Sequence, residues 1–184
     1  MHRPTAPLLL CGLVLSLLWA GPPAAHAGAW MEQARGGFLS SSLRLRPDGH
    51  DLGAYATYGL SPQLTFGLDI NTSADTGFRS AHVLAFARLP LRQRDSGWQW
   101  ALELGAGLEG DGTTWSTMRK MTLATGRSLD LGGRGGWVAL DLTREFPTGG
   151  RDRAWKLDGT VGLRHTGAAP MIQVELFQAE DAEL

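Results

Sequence analysis

The chain has 184 residues, 43% of them hydrophobic, and its 17 Lys+Arg nearly balance 18 Asp+Glu. That length suits one domain and not comfortably two, and a chain with no basic tract is a poor candidate for nucleic-acid binding. After residue 28 there is no run of roughly 18 apolar residues, which excludes a helical membrane protein; strands that cross need only about 9–11 residues, with alternate positions apolar.

The chain opens on a leader pattern. Arg3 supplies a positive start, an apolar run extends from Leu8 to Trp19, Gly21-Pro22-Pro23 breaks it, and Ala25-His26-Ala27 has the small-x-small form that signal peptidase reads. As a helix, that run is too short for a bilayer core of roughly 30 Å. Residues 1–27 are therefore expected to be a signal peptide and residues 28–184 the folded domain. Cys11 is the single cysteine. The leucines before it and the apolar run beyond it do not suit lipidation. The mature part is expected to enter an oxidising compartment without a disulfide to hold it together.

From there the sequence period is two. Leu39, Ser41, Leu43 and Leu45 share a face, as do Ala54, Ala56 and Tyr58 within residues 52–60. In residues 64–71, Leu64, Phe66, Leu68 and Ile70 oppose Thr65, Gly67, Asp69 and Asn71. Residues 80–91 are apolar on both faces in places. Residues 98–109 set Trp98, Trp100, Leu102, Leu104, Ala106 and Leu108 against Gln99, Ala101, Glu103, Gly105, Gly107 and Glu109. Residues 114–127 are the least regular and read as a strand mainly because their neighbours do. Val138, Leu140 and Leu142 then oppose Trp137, Ala139, Asp141 and Thr143. Trp155, Leu157, Gly159, Val161 and Leu163 oppose Lys156, Asp158, Thr160, Gly162 and Arg164, and Ile172, Val174 and Leu176 oppose Gln173, Glu175 and Phe177. Turn residues separate these segments, at Pro47-Asp-Gly49, Ser61-Pro62, Asp75-Thr-Gly77, Asp95-Ser-Gly97, Gly110-Asp-Gly112, Gly132-Gly133, Thr148-Gly-Gly150 and Thr166-Gly167. The connections leave no room for crossover helices. The fold expected is all-β, an antiparallel up-and-down meander barrel of about 8–10 strands, with nine segments in the reading above.

Alternation alone does not say which face meets water. A soluble sheet buries its apolar face, whereas a membrane barrel turns it outward around a polar interior. The polar faces here hold small residues such as Gly105, Gly107, Thr160 and Gly162, as a narrow interior needs. Charges of both signs fall on them, namely Asp69, Glu103, Asp141, Lys156, Asp158, Arg164 and Glu175, and these could pair across a lumen. Aromatic residues stand near strand ends, at Trp98, Trp100, Trp137, Phe146, Trp155 and Phe177, where a girdle at the headgroup level would place them. On this reading Phe66, Leu104 and Val161 touch acyl chains, and Asp69, Glu103 and Asp158 look into an enclosed wet space. A soluble periplasmic barrel or sandwich binding a small lipophilic ligand is the alternative, and it requires Phe66, Leu102 and Val161 to point inward.

The segment Tyr58-Gly-Leu-Ser-Pro-Gln-Leu-Thr-Phe-Gly-Leu-Asp69 resembles the recurrent hairpin of small bacterial outer-membrane barrels, in which a strand ending Tyr-Gly-Leu turns tightly into Leu-Thr-x-Gly. Trp30 with Gly37-Phe38, and Phe86-Ala-Arg-Leu-Pro90, are similar to a group of uncharacterised members. The resemblance implies an outer-membrane location, contact with outer-membrane lipid and assistance from the barrel assembly machinery during biogenesis. That group has no assigned active residues, so it implies none here.

Single-chain bacterial barrels commonly have an even strand number, and the resembled barrels finish on an aromatic strand end. The chain instead ends Gln178-Ala-Glu-Asp-Ala-Glu-Leu184. Either one weak segment is not a strand and eight close the barrel, or further strands lie beyond this chain; the second is preferred. If Ser61-Pro62 is a periplasmic turn, outward loops fall near residues 47–51, 73–80, 109–114 and 147–153, and residues 127–136 are long for a periplasmic turn.

No catalytic, cofactor or metal residue is assigned. His50, His82 and His165 follow the leader. His165-Thr166 could serve an outer-membrane enzyme acting on lipid, but a Ser is expected there and no acid is tied to the pair by spacing. Gly132-Gly-Arg-Gly-Gly136 lacks the Lys-Ser/Thr of a phosphate loop and reads as a turn. Asp48, His50 and Asp51 lie at a turn where such residues are ordinary, and Glu109-Gly-Asp111 is too short a calcium signature. No cofactor is expected. The expected function is a narrow channel or structural barrel of the envelope, and the small-molecule substrate is left open.

Overall fold

A computed structural model describes residues 28–46, 49–75, 78–93, 97–111, 113–130, 132–149, 153–163 and 171–179. They contain the strands β1 (Gly37–Arg46), β2 (Gly49–Ser61), β3 (Leu64–Asp75), β4 (Phe78–Arg92), β5 (Trp98–Gly110), β6 (Trp115–Asp130), β7 (Gly135–Pro147), β8 (Ala154–Leu163) and β9 (Met171–Ala179), and no helix. The strands form one sheet in chain order, every neighbouring pair antiparallel. The sheet curls into a half-barrel, and β1 and β9 are open edges.

Period-two alternation explains why these residues form strands, because it lets one face be uniform while the other varies. The hairpin of β2 and β3 pairs Tyr58 with Phe66, and the Ser61 Oγ accepts the Gln63 amide at 3.2 Å in the turn. The irregular segment over residues 114–127 is a long strand, β6, paired along its length with β5 and β7. Its extension to Asp130 shortens the connection that the sequence left long. The turn there uses left-handed Gly132 (φ 67°) and Gly133 (φ 81°), and the Gly133 amide donates to Asp130 Oδ1 at 2.8 Å. The glycine cluster is a turn device. Pro90, which cannot donate to a ladder, lies where the β4–β5 register shifts, between Pro90 and Arg92.

Side chains reaching between non-neighbouring strands tell which way the sheet curls. Lys120 on β6 meets Asp69 on β3 at 3.2 Å, and Arg88 on β4 donates to the Tyr55 hydroxyl on β2 at 2.6 Å. The polar faces are therefore concave. The apolar faces are convex: Phe66, Leu104 and Val161 are 47%, 47% and 50% exposed. Leu102 shares the convex face by parity, so the inward arrangement that a soluble ligand-binding domain requires is absent.

The aromatic ring of the sequence reading divides. Trp98 and Trp155 are exposed on the convex face, joined by Tyr58 and Phe66 near the Trp98 end and by Trp115 near the other. Trp137 is a correction. It faces inward and is 1% exposed, because it opposes Gly162 across the β7–β8 ladder and its ring fills the room left by the missing side chain. Phe146 is half-buried, with Arg144 5.6 Å from its ring centroid and 4.7 Å from that of Trp155. The Phe177 side chain lies outside the described residues.

Gly162→Leu should expel the Trp137 ring from its seat, since an added Cβ already collides with it. Overpacking of this kind costs about 1–3 kcal/mol. A urea titration of the two proteins refolded side by side checks this, with a lowered midpoint as the expected result.

Candidate functional site

The concave face holds an open-sided cavity of about 500 Å³, with Tyr55, Arg88, Glu103, Lys120, Asp141 and Asp158 in its lining. Phe86 is buried behind Tyr55, Arg88 and Lys120 of that lining, between Gly67 on β3 and Gly105 on β5, which oppose it in register. The Tyr55 ring stacks on Phe86 at 5.5 Å, and Arg88 and Lys120 place their charges 5.7 and 5.6 Å from the same ring. A rigid aromatic post thus carries two cations into the lumen.

Each cation has a carboxylate partner. Arg88 Nη2 lies 2.9 Å from Glu103 Oε2, and Lys120 Nζ lies 3.3 Å from Glu103 Oε1 and 3.2 Å from Asp69 Oδ2. Lys156 Nζ lies 2.7 Å from Glu145 Oε1. Buried charge is tolerated only with such partners. His82 Nε2 approaches Asp69 Oδ1 at 3.4 Å, so its neighbour is an acid and not a hydroxyl nucleophile. A smaller cavity of about 200 Å³, lined by His82, Lys156, Asp158 and Glu175 among others, adjoins these groups. Thr122 and Thr143 share a hydrogen bond at 2.8 Å across β6 and β7.

The chain preceding β1 folds back into this space. Ala29 is fully buried with Ala101 and Ala124, and Trp30 packs against them and over Gly126. The Trp30 carbonyl accepts from Arg88 at 3.2 Å and the Ala29 carbonyl from Gln93 at 3.0 Å. The Glu32 amide donates to Thr65 Oγ1, and the Thr57 hydroxyl donates to Glu32 Oε1. Residues 28–32 are therefore an internal segment at one end of the concave face, and residues 33–35 are exposed.

Of the charges expected on the inner face, Asp69 and Glu103 meet in one network through Lys120, and Asp141, Lys156, Asp158 and Glu175 share the face by register. Arg164, His165, Thr166 and Asp48 lie outside the described residues. His50 and Asp51 are successive residues of β2 and so point to opposite faces; Asp51 accepts from the Ser73 hydroxyl at 2.7 Å. Among the described residues no group of His, Cys, Asp and Glu is arranged to hold a metal ion. In the loop after β5, Asp111 accepts hydrogen bonds from the Thr113 hydroxyl and from the Thr114 and Thr113 amides, which hold its carboxyl down at about 2.

Tyr55, Arg88 and Lys120 were missed as site residues. Their signal was parity: Lys120 alternates with Met121 and Leu123 as Thr122 and Ala124 do, and Phe86 and Arg88 share the parity opposite to Ala85 and Ala87. Both lysines of the chain, Lys120 and Lys156, lie on the inner face.

Fold and site together define an up-and-down β half-barrel with a greasy convex face and a charged, partly filled concave one. No protein-family model matches the chain, and no curated protein or solved structure matches it at a significant level.

Proposed function

We propose that this chain is an outer-membrane β-barrel protein of the bacterial envelope, delivered by removal of residues 1–27, and serving as a narrow channel or a structural barrel. One observation carries the reading: the exposed large apolar side chains, among them Phe66, Leu104, Leu140 and Val161, lie on the convex face while Arg88, Glu103 and Thr122 are buried on the concave one. In water that distribution is unfavourable, since burying apolar area contributes about 25 cal/mol per Å². Against hydrocarbon it is the stable one. Exposed rings near both ends of the strands, Trp98 and Tyr58 at one and Trp115 and Trp155 at the other, suit the two headgroup levels. Outer-membrane lipid is then the main partner, with the barrel assembly machinery acting during insertion.

Solutes entering the lumen would meet more carboxylates than cations, which favours cationic or neutral polar ones. No catalytic step belongs to the proposal. Its test is fractionation of cells expressing the full chain, followed by electrophoresis with and without boiling. Sedimentation with outer membrane and a mobility change on heating are expected. Recovery in the soluble periplasmic fraction overturns the reading.

A further inference from the structure

Gly28 lies inside the half-barrel. It lines the central cavity, its amide donates to the Asp141 carboxylate, and a Cβ built on it would stand 2.9 Å from Asp141 Oδ2. The next residues are pinned: Ala29 is fully buried, and the Ala29 and Trp30 carbonyls are held by Gln93 and Arg88. Little freedom remains to carry Gly28 elsewhere.

Asp141 and Asp158 oppose each other in register on the inner face, and Asp158 in turn opposes Glu175. Like charges directly across a ladder repel. Asp141 Oδ1 and Asp158 Oδ1 are both buried with no hydrogen-bond partner among the described residues. The cations nearby are engaged, Arg88 with Glu103 and Tyr55, Lys120 with Glu103 and Asp69, and Lys156 with Glu145. Asp158 also takes a hydrogen bond from the Gln173 side chain, and a positive charge placed between the two acids would relieve their repulsion.

We propose that this charge is the chain's own amino terminus: cleavage between Ala27 and Gly28 makes an ammonium group that the Asp141–Asp158 carboxylates hold inside the lumen, so leader removal completes the internal segment. Hydrolysis breaks the Ala27–Gly28 peptide bond with one water. The hydroxyl goes to the Ala27 carbonyl carbon and the proton to the Gly28 nitrogen. The freed amine, with an ordinary pKa of about 7.7–8.0, takes up a second proton at neutral pH. One of its three donors keeps the Asp141 bond that the amide makes, and two become available to the orphaned oxygens. The inference rests on the leader reading and not on the channel reading.

The test uses protein purified from the envelope, with its first residue read by mass spectrometry and its amines methylated by formaldehyde and cyanoborohydride. Only Lys120 and Lys156 compete as other amines. Buried, ion-paired groups are protected in the folded state, so the Gly28 amine should react at least about ten-fold more slowly in folded than in urea-unfolded protein. Asp141→Asn should raise the folded rate. A glycine inserted between Ala27 and Gly28, which displaces the amine by about 3.3–3.6 Å, should do the same if that variant fails to fold. Equal rates in folded and unfolded wild-type protein overturn the proposal, as does a mature chain that begins at another residue. The mass spectrum reports on the leader, the rate ratio on the pocket and sedimentation on the envelope location, so failures of the three are distinguishable.

Discussion

Glu103→Ala should lower the stability of the folded protein by about 3 kcal/mol or more, the largest effect expected of a single lumen substitution. Glu103 is 6% exposed and binds two cations at once, Arg88 at 2.9 Å and Lys120 at 3.3 Å. Truncation removes that partner while both cations stay largely buried, their side chains 3% and 12% exposed. Arg88 retains the Tyr55 hydroxyl and the Trp30 carbonyl, and Lys120 retains Asp69, which holds the cost toward the lower end of the range for a broken buried pair. Glu103→Gln keeps an acceptor and should cost less. Replacing Arg88 and Glu103 together by methionine should recover part of the loss, because no buried charge is then orphaned by the change. Urea midpoints of the four proteins refolded into lipid vesicles check this. Equal midpoints for wild type and Glu103→Ala would mean that the network contributes nothing.

Leu104→Arg separates a lipid-facing surface from a water-facing one. Leu104 stands near the middle of β5 on the convex face, 47% exposed. In water, a change at such a position ordinarily stays within about 0.5 kcal/mol. At the centre of a bilayer, an arginine on the lipid face of a barrel costs about 2–4 kcal/mol. The expected result is the larger value, with the same substitution nearer a strand end costing less. The readout is the denaturant midpoint in vesicles, compared for Leu104→Arg and for Leu60→Arg near the end of β2. A depth-independent loss would argue for a surface that meets no hydrocarbon.

Much of the architecture was legible in local pattern. The alternation in residues 64–71, 98–109 and 155–163 marked strands and sorted their residues onto the correct faces. Antiparallel neighbours followed from connections too short for a crossover, and Tyr58 to Asp69 is the hairpin that its turn residues suggest. Residues 114–127 were harder, because Met118, Thr125 and Gly126 blur the contrast between faces. Their place in the sheet comes from the two ladders that β6 makes. Trp137 was placed on a girdle by its position near a strand start, although its parity with Ala139 and Asp141 already put it on the inner face. Parity was the better guide, since it follows from backbone geometry and position along a strand does not.

Which residues share a face and which strands are neighbours can be read along the chain, because a pleat of period two and a short turn are both local. Tertiary structure alone decided that the polar face is concave, that Lys120 reaches Asp69 three strands away, and that residues 28–36 fold back to place Gly28 against Asp141. Those contacts depend on the curvature summed over many strands and on the volumes of Phe86, Trp30 and Trp137 set against glycines. No window of adjacent residues contains them.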